Sequence, residues 1–235
     1  MRLLSEPLTA APVECPYLPE QIFVQNYFFA DELDEFEFGV LLNAGWRRFG
    51  KYFFRPGCPR CSQCKPIRVD THQLKPTGSQ RRVISRGKEI VMEAVEPRTS
   101  DEAWRVYRNH SKAQFQREEN REHFEETFFD RTAVPSLQTE YRLDGNLIAL
   151  GFLDVSNDGM SSVYFAFDPE WSRYSPGILS VFRESELVKQ WGKRWYYLGY
   201  WVEGCQSMEY KARYRPHQLY DWKLQDWVNS GRTAE

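Results

Sequence analysis

The string CPRCSQC sets Cys58, Cys61 and Cys64 within seven residues, and Cys15 stands upstream in CPYLP. Thiolates suit zinc or an iron–sulfur cluster, and two-residue gaps let neighbouring sulfurs converge on one centre while the chain turns. Cys15, Cys58, Cys61 and Cys64 are therefore the candidate metal ligands, with Cys205 the alternative to Cys15. Reduced, buried thiols are the plain alternative. Charge is the second chemical signal. A net charge of -2 hides a contrast: residues 1–42 carry one Lys or Arg against eight Asp or Glu, and residues 43–99 carry thirteen against four. The basic stretch runs through Arg47, Arg48, Lys51, Arg55, Arg60, Lys65, Arg68, Arg81, Arg82 and Arg86, interleaved with Phe49, Tyr52, Phe53 and Phe54. Cations among aromatic rings suit a phosphate-binding face. His72, His110, His123 and His217 form no metal-ligand or Cys/His pattern and are expected as core or surface residues.

These groups need a scaffold, and the 235 residues, 41% hydrophobic and 27% charged, have the composition of a globular protein. No stretch approaches the roughly 20 apolar residues of a membrane span, so the expected location is cytoplasmic. Gln21–Phe29 predicts a strand, and Asp31–Leu42 a helix capped by Asp31. KYFFRP and PIRVD flank the cysteines as short strands, completing an N-terminal metal-binding and basic α+β module over residues 1–87. From residue 88 to 235 the pattern predicts a strand at EIVMEAVEP, a helix capped by Ser100 and a second helix at NREHFEETFFD. Three antiparallel strands follow, turning at Asp144-Gly145 and Asp158-Gly159, then a helix from Pro176 to Gln190 and the strand WYYLGYW. A helix near Ser207–Tyr214 and a strand at HQLYDW close the chain. This order resembles the acetyltransferase (GNAT) fold and implies an α+β catalytic domain on a mixed sheet. In that fold SSVYFAF and WYYLGYW would splay to admit an acyl donor. RYSPG, with Ser175 and Gly177, would offer a helix N-terminus to a phosphate or oxyanion, flanked by Trp171 and Tyr174.

CPYLP, YFFRPGCPRCSQCKPIRV, SQRR, VYFAFDP, YSPG, YYLGYWVEGC and MEYKARYRP resemble the aminoacyl-tRNA protein transferases over nearly the whole chain. The likeness is to the short bacterial aspartate/glutamate leucyltransferase branch, related to the arginyl-tRNA protein transferases. It implies transfer of leucine from leucyl-tRNA to the α-amine of proteins beginning with Asp or Glu, as an N-end rule degradation mark. It also implies a cysteine-bound zinc or iron–sulfur site. The partners would be aminoacyl-tRNA and acidic N-termini, with no DNA and no membrane. RYSPG is poorer in glycine than an acetyl-CoA phosphate loop, so no acetyl-CoA is expected. Candidate catalytic groups at the splayed strand ends are Asp168, Tyr200 and Glu203. Lys211, Arg213 and Arg215 of MEYKARYRP, with Arg81, Arg82 and Arg86, are candidates for the tRNA end or the acceptor carboxylate, which guanidinium groups bind bidentately. Three alternatives stand beside this reading: arginine as donor, an acetyl-CoA-dependent acetyltransferase, and a metal-stapled RNA-binding module without catalysis.

Overall fold

Aromatic and β-branched residues dominate the segments on either side of the cysteines, and both are strands, but in different sheets. The computed structural model describes residues 1–129 and 133–230. The N-terminal strands are β1 (Arg2–Leu3), β2 (Leu8–Thr9), β3 (Val13–Glu14), β4 (Ile22–Phe23), β5 (Gln25–Asp31), β6 (Arg47–Phe49) and β7 (Tyr52–Pro56). One sheet has the order β1-β5-β7-β6 with β2 also on β5, while β3 and β4 form a small pair beside Cys15. The strand expected over Gln21–Phe29 is thus two strands. The helix expected from Asp31 begins later, as α1 (Glu35–Asn43), because Asp34 and Glu37 form a capping box at its start. Asp31 instead ends β5, where Arg2 at 2.7 Å and Lys51 at 3.3 Å hold its carboxylate. The hydrogen bond from Arg2 pulls that acid down to about 2.

The main sheet contains β8 (Lys65–Asp70), β9 (Val91–Val95), β10 (Ser136–Leu143), β11 (Asn146–Val155), β12 (Gly159–Phe167), β13 (Trp195–Trp201), β14 (His217–Asp221) and β15 (Asp226–Asn229). Its order is β15-β14-β8-β13-β12-β11-β10-β9, and every pairing is antiparallel except β12 with β13. This is a mixed sheet in an α+β chain. The strand after the cysteines, β8, inserts between β13 and β14, so residues 57–64 bridge the two sheets. The helices are α2 (Gly78–Arg86), α3 (Asp101–Phe115), α4 (Arg121–Phe128), α5 (Pro176–Gln190) and the single turn α6 (Gln206–Glu209). Ser100 caps α3 by accepting from the Ala103 N–H at 3.0 Å, and Asp144 and Gly145 both take the left-handed turn conformation. The helix expected near Ser207–Tyr214 is α6 followed by a 3-10 turn at Tyr210–Arg213.

β11 is buried at nearly every position because both faces of the sheet are covered. On one face Ala103, Val106, Tyr107, Phe124 and Phe128 of α3 and α4 pack on Leu147, Leu150 and Phe152. On the other, Leu179 of α5 meets Ile148 and Ala149, while Val181 and Val188 meet Leu153 and Tyr196. The basic stretch is not one surface. Arg47, Arg48 and Arg68 are buried. Arg68 lies between the rings of Trp195 at 3.8 Å and Trp227 at 4.2 Å and donates to Asn43 and Gln218. Arg48 reaches from β6 to Asp154 of β11 in a buried ion pair.

That pair ties the two sheets together, although Arg48 Nε and Asp154 Oδ2 lack partners among the described residues. Breaking it strands a buried charge. Arg48→Ala should lower the unfolding free energy by about 3–5 kcal/mol, and Arg48→Met with Asp154→Leu should restore most of it. Urea denaturation of the two variants decides; a double variant as unstable as the single would show that the cost lies in packing rather than in the stranded charge.

Candidate active site in a parted sheet

β12 and β13 pair over only three positions, Gly159 with Trp195, Met160 with Tyr196 and Ser161 with Tyr197. Each strand then bulges. On β12 the register against β11 slips between Ser162 and Tyr164, leaving Val163 extra; on β13 the register against β8 slips between Tyr197 and Gly199, leaving Leu198 extra. Gly199 has φ of 90°, a conformation that bends the strand and strains any side chain. Bulges just past the last shared pair turn the strands apart, and the gap is a cavity of about 690 Å³. Ser162, Tyr164 and Phe165 form one wall, Tyr196, Leu198 and Tyr200 the other, with Gly177 and Ser180 of α5, His110 of α3, and Arg47, Phe54 and Lys211 closing it.

The electrostatics of the gap are one-sided, since no Asp or Glu lines it among the described residues. Arg47 is 9% exposed; it donates through Nη2 to the Ser162 carbonyl, and Nη1 has no partner among the described residues. Burial lowers its pKa, which an anion would reverse. Lys211 Nζ donates to the Tyr200 carbonyl at 2.8 Å and contacts Met208 Sδ at 3.4 Å. Burial, aided by the neighbouring Arg47 charge, brings the Lys211 amine down to about 8. A Cβ on Gly199 would stand 3.4 Å from Lys211 Nζ and 3.8 Å from Arg47 Nη2, so the glycine keeps open a cradle between two cations. The N-terminus of α5 reaches the same cavity at Gly177, and Ser175 makes no side-chain cap bond there. Below the floor, Glu184 is fully buried and accepts from Thr139 and Tyr141 at 2.9 Å each and from Tyr196. Burial raises its pKa, against the opposing pull of these three hydrogen bonds.

The sequence candidates divide on this geometry. Lys211, Tyr200 and Gly177 line the gap, and Ser175 lines the adjoining cavity of about 240 Å³ at the start of α5. The Tyr200 hydroxyl is taken up by the carbonyls of Gly45 at 3.0 Å and Phe54 at 3.3 Å, and burial raises its pKa. Asp168 caps the short helix Pro169–Tyr174, with its carboxylate held by Arg105 at 2.5 Å and Asn109 at 3.0 Å. Glu203, Arg213 and Arg215 are exposed, and so are Arg81, Arg82 and Arg86 on α2. Trp171 and Tyr174 stack on each other with Arg173 over both. His110, expected as a core or surface residue, and Arg47, expected only as part of the basic phosphate-binding stretch, both line the gap. In RRF both arginines are buried, one toward the Ser162 carbonyl and one toward Asp154, and two adjacent arginines in a strand were the signal that a guanidinium points inward.

The cysteines share a neighbourhood. Cys64 and Cys205 are buried together against Val202 and Tyr17, and Cys58 Sγ accepts from the Val24 N–H at 3.3 Å. Burial, then the nearby Cys15, Cys58, Cys61 and Cys205, pushes the Cys64 thiol up to about 12. The donor types fit zinc or an iron–sulfur cluster, but among the described residues no three His, Cys, Asp or Glu side chains stand close enough to hold a metal ion. The sulfurs are near neighbours rather than a formed ligand set.

A mixed sheet parted at its parallel pair, with Arg47 and Lys211 lining the gap, is an arrangement that can receive an anionic group between its strands. The family models for the N terminus and the C terminus of arginine-tRNA-protein transferase match residues 13–82 and 102–221. An aspartate/glutamate leucyltransferase of Stutzerimonas stutzeri is 32% identical over 88% of this chain and 90% of its own. One of Chromobacterium violaceum is 33% identical over 89% and 88%. The chain belongs to the arginine-tRNA-protein transferase family and is an aminoacyltransferase. Among solved structures, L-PGS from Bacillus licheniformis shares the fold at 12% identity and a TM-score of 0.50, over 76% of this chain and 60% of that one. No described helix is long and apolar enough to cross a membrane.

The Lys211 amine titrates near 8 in the folded protein and near 10.5 when unfolded, so between these values the unfolded chain holds more protons and stability rises with pH. Relative to Lys211→Met, the wild-type unfolding free energy should climb by about 1–2 kcal/mol from pH 8 to 10.5, solvent screening at this half-buried group included. Parallel pH profiles from urea unfolding would show it; parallel, featureless curves would place the amine in water.

Proposed function

We propose that this chain conjugates leucine from leucyl-tRNA to the N-terminal α-amine of proteins that begin with Asp or Glu. The observation that carries the donor assignment is the cavity lining. Phe165, Phe167, Val181, Leu198 and Met208 offer an apolar wall, and the carboxylate that an arginine side chain would need is absent among the described lining residues. The names of the two bacterial relatives support the same donor and acceptor. The acetyltransferase-type architecture supports an acyl donor entering between β12 and β13, which part where such a donor would lie.

The chemistry asks little of a general base. The acceptor α-amine has a reference pKa of about 7.7–8.0 and is partly neutral near pH 7. It attacks the ester carbonyl, a C–N bond forms, the ester C–O bond breaks, and the amine proton leaves with the ribose oxygen. Negative charge grows on the carbonyl oxygen in between, and the Gly177 end of α5 with the Lys211 ammonium supplies positive potential for it. Holding the ester and amine together in the gap contributes the rest. Exposed Arg81, Arg82, Arg213 and Arg215 are left for tRNA phosphates, a contact that weakens with salt. Cys15, Cys58, Cys61 and Cys64 are proposed to hold zinc or an iron–sulfur cluster that staples the bridge between the sheets. No step of the transfer runs through it.

Transfer of labelled leucine or arginine to matched peptides beginning with Asp, Glu or Ala should put leucine on the Asp and Glu peptides alone. Arginine in its place overturns the donor, and tRNA binding without product overturns the enzyme reading. Anaerobic purification with metal analysis should find zinc or iron at about one site per chain; a metal-free, fully active protein removes the staple.

A further inference from the structure

Resting on that acceptor assignment, we propose that Arg47 and Lys211 form the receptor that selects an acidic first residue, with Arg47 gripping the side-chain carboxylate of the incoming N-terminal Asp or Glu. The two cations come from opposite ends of the chain, one on β6 and one beyond β13, and meet across Gly199. Neither has a carboxylate partner among the described residues, whereas Arg48 next door is paired with Asp154. Arg47 lines this cavity, which has no acidic residue among its described lining; the residue is 9% exposed, and its Nη1 is a buried donor without an acceptor among the described residues. Burying such a group costs free energy unless an anion completes it, so folding keeps it at the expense of stability for the sake of a ligand.

A carboxylate fits this place better than a tRNA phosphate. A buried guanidinium beside a partly buried ammonium matches a small planar anion, and guanidinium binds carboxylate through two parallel hydrogen bonds. Phosphates belong to a long polymer that exposed cations can reach, and the chain has these on α2 and at Arg213 and Arg215. A recess built to pair a charge also rejects amides strongly, because Asn or Gln would leave Arg47 unmatched. Lys211 reinforces the field and is itself tethered by the Tyr200 carbonyl.

The test uses the full chain. Calorimetry with short peptides that begin with Asp or Asn, without tRNA, reads the acceptor site alone. Kinetics with saturating leucyl-tRNA then give kcat/KM for Asp, Glu, Asn and Ala acceptors in wild type, Arg47→Gln and Arg47→Lys. Arg47→Gln should weaken Asp-peptide binding and kcat/KM by about 100-fold or more, chiefly in acceptor KM, and collapse the Asp-to-Asn ratio while KM for leucyl-tRNA holds. Arg47→Lys keeps the charge and loses the fork, so it should fall between the two and serves if Arg47→Gln does not fold. An unchanged Asp-to-Asn ratio in either folded variant overturns the proposal. So does a loss confined to leucyl-tRNA affinity with a shallower salt dependence, which would assign Arg47 to phosphate. Failure of leucine to transfer in wild type would sink the donor reading instead, and peptide binding would still report on Arg47.

Discussion

Three paired positions between β12 and β13 set the geometry on which the site depends. A parallel pair must be reached by a crossover, here α5, whose N-terminus lies beyond the end of β12, where the two strands are already apart. Had the two strands continued in register, the ladder would have sealed the sheet. The unpaired Val163 and Leu198 stop it, and Gly199 takes the turn that a residue with a side chain would resist. The gap, the helix N-terminus at its rim and the cradle beneath Gly199 are consequences of one interrupted ladder.

Positive charge in this protein is spent in two ways. Arg48 and Arg68 hold the fold: one pairs with Asp154 across the sheets, and the other is stacked between indoles with amide acceptors around its edge. Arg47 is buried and Lys211 partly so, without a counter-charge among the described residues, and burial lowers the pKa of both and leaves the cavity poised for an anion. The same desolvation acts in the opposite sense on Glu184, behind Tyr196, and raises its pKa.

The cysteine segment joins these two halves physically. Residues 57–64 carry the chain out of the N-terminal sheet and into the middle of the main sheet, beside β13. Cys64 lies against Cys205 and Val202, just past the end of β13, with Tyr17 and Tyr200 packed around them. A thiolate-bound metal here would therefore brace the wall of the catalytic gap from behind, a positional role that needs no reactive metal.

Local signals were legible because they act within a few residues. Ser100, Pro176, Asp144-Gly145 and the aromatic run of β13 mark elements where they occur, since caps, fixed φ values and strand alternation are written in neighbouring residues. Lys211 and Gly177 were legible as candidates through motifs. Asp31 misled because a nearby stronger signal, the Asp34–Glu37 capping box, started the helix while distant Arg2 and Lys51 claimed its carboxylate. By itself the sequence determined most strands and helices after residue 88, the family, and which residue types were available for chemistry. Tertiary structure decided which cation stayed unpaired, that Asp168 went to Arg105, and that β12 and β13 part. Those outcomes rest on contacts between residues as far apart as Arg47 and Ser162, and no local preference encodes which partner wins across such separations.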